Sequence, residues 1–470
     1  MTWSRLVLRL VVASGATAAL ACTGIGIGKD VSSTGFPIVT HSEDGVAVPN
    51  DVRLIRVPRK NWPAGSLRPL HYWQLSYPRI VSAQHSPEMA PVRDQKETEP
   101  LAHIPQLPET WAYWDTEYAV QNEWGVAMGG GTCDSKTAGW PVRKNGQKLS
   151  YGYNHAGIED LTKIAMERCK TALCAVETMG TIAVEQGYYV DDAGNPALPN
   201  YRDSADCLLV GDREPGELWN FHVLSGRGNT SAIWAAQRIP ANHVTVVANS
   251  FTIGKMNLSD TDNFKYSPGI TDLAEEKGWW RREGADSHEH FDFFRTYGYT
   301  PKATGIEIVK QAKSAGMSPE ALVKWYSDLG GIYAGRRMWR VFNLLSPTEG
   351  AKLEPHRMHQ PEADYFPASV LAPKGSVTPG MVVDVHRDHF ERTPFDLTKG
   401  MAAGPFGNPN RGPVDLSVKF HGQWERALAM ERTNWCFLNE MRPHNRSIMW
   451  FAYDSPHGSV FLPFYAAATA

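Results

Sequence analysis

The sequence predicts an α+β fold in which antiparallel sheets are covered by helices, and three observations carry that expectation. Strand-like and helix-like stretches fall in separate blocks, which argues against a doubly wound parallel sheet. Four strand-like runs, 207–210, 218–223, 232–237 and 244–253, follow one another across short connections such as Arg213-Glu214-Pro215-Gly216. They read as an antiparallel meander. No low-complexity linker or internal repeat divides the 470 residues, so the chain reads as one domain despite its length.

The first 21 residues read as an export leader. Arg5 and Arg9 supply positive charge, 10–20 carry none, and Ala19-x-Ala21 puts small side chains where a signal peptidase needs them. Cleavage is therefore expected directly before Cys22, leaving residues 22–470 as a single domain in a secreted, periplasmic or otherwise exported compartment. Val52 to Val57 reads as a strand, and 82–100, polar and Pro-bearing, as a surface insertion. Tyr118 to Met128 holds two strand-like runs around a tight Asn122-Glu123-x-Gly125 turn. From 157 to 186 apolar residues recur at helical spacing, for one or two helices. Helical sequence returns at 269–278, 304–315, 319–328 and 379–390. The runs 448–453 and 460–464, around Ser455-Pro456-His457-Gly458, close the chain as a hairpin.

Composition excludes several function classes. A net charge of −3 gives no reason to expect a nucleic-acid or anionic-membrane partner. Beyond the leader no apolar run reaches membrane-spanning length, so no stable membrane insertion is expected. Six cysteines are too few for a disulfide scaffold. Cys169 and Cys174 lie five apart on helical sequence, too distant for a bridge unless the helix breaks between them, so buried packing is their expected role.

The chemistry concentrates at Cys22. Cleavage there would leave a thiol and a free α-amine on one residue, titrating near roughly 8.5 and 7.7–8.0. The amine can then serve as general base for its own nucleophile. Two other roles stand beside this one: an acylated lipoprotein anchor, although the aliphatic residue of a lipobox is displaced by one to Leu20, and a structural cysteine. Gly24-Ile25-Gly26-Ile27-Gly28-Lys29 fails as a phosphate loop, because Thr23 and Asp30 stand where glycine and Ser or Thr are required. Its small residues instead suit close approach of a strand to its neighbours. No G-x-S-x-G elbow is present. The pairs His288/His290, His356/His359 and His386/His389 lack a zinc signature and read as solvated or helix-face histidines, so no metal and no cofactor is expected. Asp44 could hold and orient an ammonium. Asn122 and Asn249 end apolar runs, where an amide can donate to an oxyanion or simply form a turn.

Taken together, these residues resemble the secernin-related cysteine dipeptidases (PepD-type) of the N-terminal nucleophile (Ntn) hydrolases. The likeness spans nearly the whole mature chain. It rests on Cys22-Thr23, Gly28-Lys29 and Glu43-Asp44, on Ile104-Pro105-Gln106-x-Pro108-Glu109-Thr110, and on Asn122-Glu123-x-Gly125. It also rests on Asn263-Phe264-x-Tyr266-Ser267-Pro268 and on the block from Thr393-Pro394-Phe395-Asp396 to Asn408-Pro409-Asn410-Arg411. The resemblance implies a four-layer αββα sandwich with the nucleophile at a strand end, and hydrolysis of dipeptides without a metal. Self-association is left open. It makes Cys22 the nucleophile, Asp44 the support of the α-amine, Asn122 an oxyanion donor and Asn249 a second polar contact. A late Ser-Arg motif of related acylases is matched by Gly335-Arg336-Arg337, which nominates Arg336 for stabilising the site's charge. Amide hydrolysis of non-peptide substrates is the alternative activity. Two departures stand out. His41-Ser42 replaces a basic residue followed by asparagine, and if that position holds the thiolate a largely neutral histidine would hold it more weakly; Gly129 to Gly131 stand where relatives can carry Glu-Ser, which bears on selectivity.

Overall fold

The structure is a computed structural model describing residues 22–45, 52–73, 80–191, 193–282, 291–299, 318, 330–355, 359, 361, 365–404, 406–409, 426–444 and 446–467. The leader and the helical stretches 304–315 and 319–328 lie outside the described residues, as do His288, His290 and His356. Among the described residues, fifteen strands build the two large sheets: β1 (Gly24–Ile27), β2 (Ile38–Glu43), β3 (Ile55–Val57), β4 (Tyr113–Asp115), β5 (Ala119–Asn122), β6 (Ala127–Cys133), β7 (Ala205–Gly211), β8 (Leu218–Ser225), β9 (Ala232–Ile239), β10 (His243–Val247), β11 (Phe264–Tyr266), β12 (Ser369–Leu371), β13 (Trp435–Glu440), β14 (Ile448–Tyr453) and β15 (Leu462–Tyr465). Sheet I runs β12-β10-β1-β2-β13-β14-β15, and sheet II runs β11-β9-β8-β7-β6-β5-β4-β3. Every neighbouring pair in both is antiparallel.

The expected meander forms only in part. β7, β8 and β9 follow one another in sheet II, but the fourth run crosses to sheet I, where β10 pairs with β1 in the register Gly24↔Val247. Pro240 and Ala241 make that turn, and the Gly28 N–H donates to the His243 carbonyl at 2.9 Å. A propensity reading cannot see such a switch, since β10 alternates as well for one sheet as for the other.

β1 shows how the sheets pack. Its side chains alternate, so Ile25 and Ile27 enter one apolar cluster while Gly24 and Gly26 turn to the other face. A Cβ on Gly26 would come 2.7 Å from Thr245 Cγ2 and 2.8 Å from Leu218 Cδ2 of sheet II. The glycines therefore permit sheet-to-sheet contact and cradle no phosphate.

Helices α1 (Ile158–Arg168) and α2 (Ala172–Gln186) pack Leu161, Ile164, Val176 and Met179 with Leu208, Phe221 and Val223 of sheet II. Helices α3 (Arg336–Leu345) and α4 (Pro379–His386) pack Met338, Phe342, Val382 and Val385 with Ile25, Val244 and Leu438 of sheet I. A third cluster, with Val39, Leu209, Leu218 and Val247, lies between the sheets.

The helix over 157–186 does break, and that overturns the expected role of its cysteines. Cys169 leaves α1 in extended backbone, and the Thr171 side chain caps α2 by accepting from the Cys174 N–H at 3.3 Å. The two cysteine Cα atoms then lie 5.5 Å apart, and Cys169 and Cys174 form a disulfide. Residues 82–100 are partly inserted: His85 and Met89 are buried, and His85 Nε2 meets Asp115 at 2.8 Å.

Candidate active site

Cys22 lies two residues before β1 and is 1% exposed, wedged against β6. A Cβ on Gly131 would lie 2.5 Å from Cys22 Cβ, and one on Gly129 would lie 2.7 Å from His41 Cβ. A side chain at Gly131 or Gly129 would therefore displace Cys22 or β2. Gly129 and Gly131 serve the close approach of the sheets, while a Cβ on Gly130 would meet the Cys207 carbonyl of the neighbouring strand β7.

β2 places alternate residues on opposite faces. Thr40 looks toward α4, where it meets His386 Nε2 at 2.8 Å, while His41 and Glu43 look toward Cys22. The Cys22 thiol donates to Glu43 Oε2 at 3.2 Å, and His41 Nε2 lies 3.0 Å from the same oxygen. The Gly130 N–H donates to His41 Nδ1 at 2.8 Å. That donor fixes the ring proton on Nε2, so the imidazole is neutral and donates to Glu43. The ring is also stacked on Trp435 at 4.8 Å. Burial, reinforced by the Glu43 carboxylate, pushes the Cys22 thiol up and keeps it protonated in this environment.

The ligand-type atoms of Cys22, His41 and Glu43 lie within 4.8 Å of one another, a spacing that suits a cation. Ligation by His41 Nε2 would need the proton on Nδ1, and the Gly130 N–H occupies that lone pair. The hydrogen bonding thus opposes a metal there.

Arg337, in the first turn of α3, ties the site together. Its Nη1 donates to the Cys22 carbonyl at 2.7 Å and to Thr23 Oγ1 at 2.8 Å. Nη2 donates to Asn249 Oδ1 at 2.7 Å and to the Ala248 carbonyl at 3.2 Å, and Nε to the Tyr333 carbonyl at 2.7 Å. Burial lowers its pKa to about 10, which leaves it charged at neutral pH. Asn249, at φ +56°, is held by a second bond from its Nδ2 to the Thr132 carbonyl at 2.9 Å.

The other expected site residues separate. Asp44 is buried beside Cys22's neighbour Glu43, but it pairs with Arg426 and accepts from the Thr433 and Ser42 hydroxyls. Its charge is already matched. Asn122 sits in the β5–β6 turn, where Gly125 at φ +76° closes the loop. Its Nδ2 donates to the Met166 and Cys169 carbonyls at 3.1 and 2.8 Å, and its Oδ1 accepts from the Trp124 and Val126 N–H groups. Four bonds to backbone exhaust the amide, so Asn122 holds the turn to α1 and is not an oxyanion donor. Arg336, one position before Arg337, points about 100° away around the helix and lies over the Phe395 ring at 3.3 Å. The site's arginine is Arg337. His359 and His386 are buried, their pKa values lowered to about 4 and 3 by burial, so they are packed structural histidines and not solvated ones.

Glu43 and Arg337 escaped the sequence reading as site residues, and His41 entered it only as a weaker holder of the thiolate. Strand alternation from the apolar Val39 would have placed His41 and Glu43 together on the face turned to sheet II. Nothing local distinguishes Arg337 from Arg336.

A profile of peptidase family C69 matches residues 150–305 and 326–470. A dipeptidase of Bifidobacterium longum (strain NCC 2705) is 22% identical over 463 residues, covering 95% of this chain and 71% of the relative. Dipeptidase A of Lactobacillus helveticus is 20% identical over 453 residues, covering 95% and 76% respectively. With most of its length matched by the profile, and with both relatives aligned over 95% of it, the chain belongs to peptidase family C69.

Proposed function

We propose that this peptidase is a cysteine dipeptidase of the Ntn type, with Cys22 as nucleophile. The observation that carries the reading is the setting of Cys22 at the head of β1, its carbonyl fixed by Arg337 and its thiol by Glu43. Two antiparallel sheets with a helix pair on each outer face support the four-layer αββα architecture. The dipeptidase relatives support small peptides as substrates.

In this reading leader removal frees the Cys22 α-amine, which takes the thiol proton. The thiolate attacks the peptide carbonyl, the proton passes to the leaving amine, and water hydrolyses the acyl-enzyme. Asn249, joined to Cys22 through Arg337, takes the place of Asn122 as oxyanion donor in this reading, together with backbone N–H groups. Asp44, neutralised by Arg426, supports β2 at the edge of the site. The Cys169–Cys174 bridge supports an exported location, where disulfides persist. A lipid on Cys22 is disfavoured, because an acyl chain on a thiol packed between two sheets has no path to a membrane.

Intact mass and amino-terminal sequencing of the protein from its host test the reading. A chain beginning at unmodified Cys22 is expected. A diacylglyceryl adduct, or an amino terminus elsewhere, removes the general base and the mechanism with it.

A further inference from the structure

Glu43 is fully buried and its charge is unmatched. Oε2 accepts from the Cys22 thiol and from His41, while Oε1 is buried with no hydrogen-bond partner among the described residues. The ion pairs among the described residues give Glu43 only the His41 ring, which the Gly130 N–H keeps neutral. Its neighbour Asp44 has Arg426. A buried carboxylate without a cation is costly, and a vacant oxygen beside the nucleophile is a place for one.

We propose that Glu43 receives the free α-ammonium of the substrate and so selects peptides whose first peptide bond is the one cut. The geometry works as a ruler. A carbonyl carbon under attack lies roughly 3–3.5 Å from the nucleophilic sulfur. In the first residue of a peptide the α-nitrogen is two bonds from that carbon, about 2.5 Å away. A carboxylate 3.2 Å from Sγ can therefore reach that ammonium with one hydrogen bond. One more residue on the amino side would carry the ammonium about 3.8 Å further and set a neutral amide against Glu43. An N-acyl group does the same, so the site favours dipeptides over acyl amides. This selectivity rests on Cys22 being the nucleophile. The α-ammonium of Cys22 itself is the other source of the same chemistry.

The test compares mature wild type, Glu43→Gln and Glu43→Asp on an apolar dipeptide and its N-acetylated form, by kcat/KM. The same two ligands are titrated calorimetrically into Cys22→Ala and Cys22→Ala/Glu43→Gln. Glu43→Gln is expected to reduce the preference for the free amine roughly 10- to 100-fold, chiefly through KM, with the same factor in the binding titrations. Glu43→Asp, which keeps the charge, is expected to retain most of the preference. An equal loss on both ligands overturns the proposal and assigns Glu43 to the enzyme's own ammonium or thiol. An unchanged preference overturns it too. Turnover by Cys22→Ala would sink the nucleophile reading separately, whatever Glu43→Gln shows.

Discussion

Two buried polar clusters in this molecule are built on opposite principles. Beneath α1, Arg68 pairs with Asp160 at 2.5 Å and with Glu167 at 3.2 Å, and Lys163 meets Asp115 at 3.0 Å with His85 on its other oxygen. Burial works against the Arg68 charge, but the two carboxylates hold its pKa above the ordinary value. Carboxylates there have cations, and the cluster is closed. At Cys22 the order is reversed: a carboxylate without a cation among the described residues, a neutral imidazole, and an arginine that donates to carbonyls, a hydroxyl and an amide. Balanced burial fixes a fold, whereas unbalanced burial leaves a position for a charge that arrives with substrate.

The sharpest break in this comparison is Cys22→Ala. It should reduce turnover of a dipeptide by on the order of 10⁴-fold or more while thermal unfolding stays near wild type. Arg68→Met should do the reverse. Leaving Asp160 and Glu167 without their cation is expected to cost about 3–5 kcal/mol in denaturant unfolding, with kcat per folded molecule unchanged.

Arg337→Ala sits between the two, stripping donors from Cys22, Thr23, Ala248 and Asn249. It should lose about 3 kcal/mol of stability and also lower kcat. The neighbouring Arg336→Ala should cost about 1 kcal/mol and leave kcat intact, since its guanidinium lies over the Phe395 ring. Asn122→Ala should cost about 2 kcal/mol through the β5–β6 turn and leave both kcat and KM unchanged. A fall in kcat there would return Asn122 to the chemistry.

The smallest effect is a slope with pH. Burial raises the pKa of Asp206, on β7, to about 8, whereas an unfolded aspartate ionises near 3.9. Between those values the native state keeps a proton that the unfolded chain has lost. The stabilisation is therefore complete below about pH 4 and fades as pH rises through about 8. Asp206→Asn should flatten that part of the stability profile, read from chemical denaturation at intervals from pH 5 to 8.

Much of the element order was legible because it depends on local pattern. The closing hairpin β14–β15, the strands around the Asn122–Gly125 turn and the helices over 157–186 follow from alternation, turn chemistry and helical spacing. The switch of β10 into sheet I and the Cys169–Cys174 bridge were not legible. Each depends on one local break, at Pro240 and at Thr171, whose consequence is decided by distant partners.

By itself, the sequence determined that Cys22 opens a glycine-bearing strand, that antiparallel sheets are covered by helices, and that the chain resembles cysteine dipeptidases. Those are properties of neighbouring residues and of motif. Only the tertiary structure decided which polar groups meet at Cys22. It chose Arg337 over Arg336 by a 100° turn of helix, and it took Asn122 out by filling its amide with backbone. It also set Glu43 beside the thiol while giving Asp44 the Arg426 charge. Adjacent residues share a sequence signal, but opposite faces of one strand or helix meet different partners, and the partners assign the role.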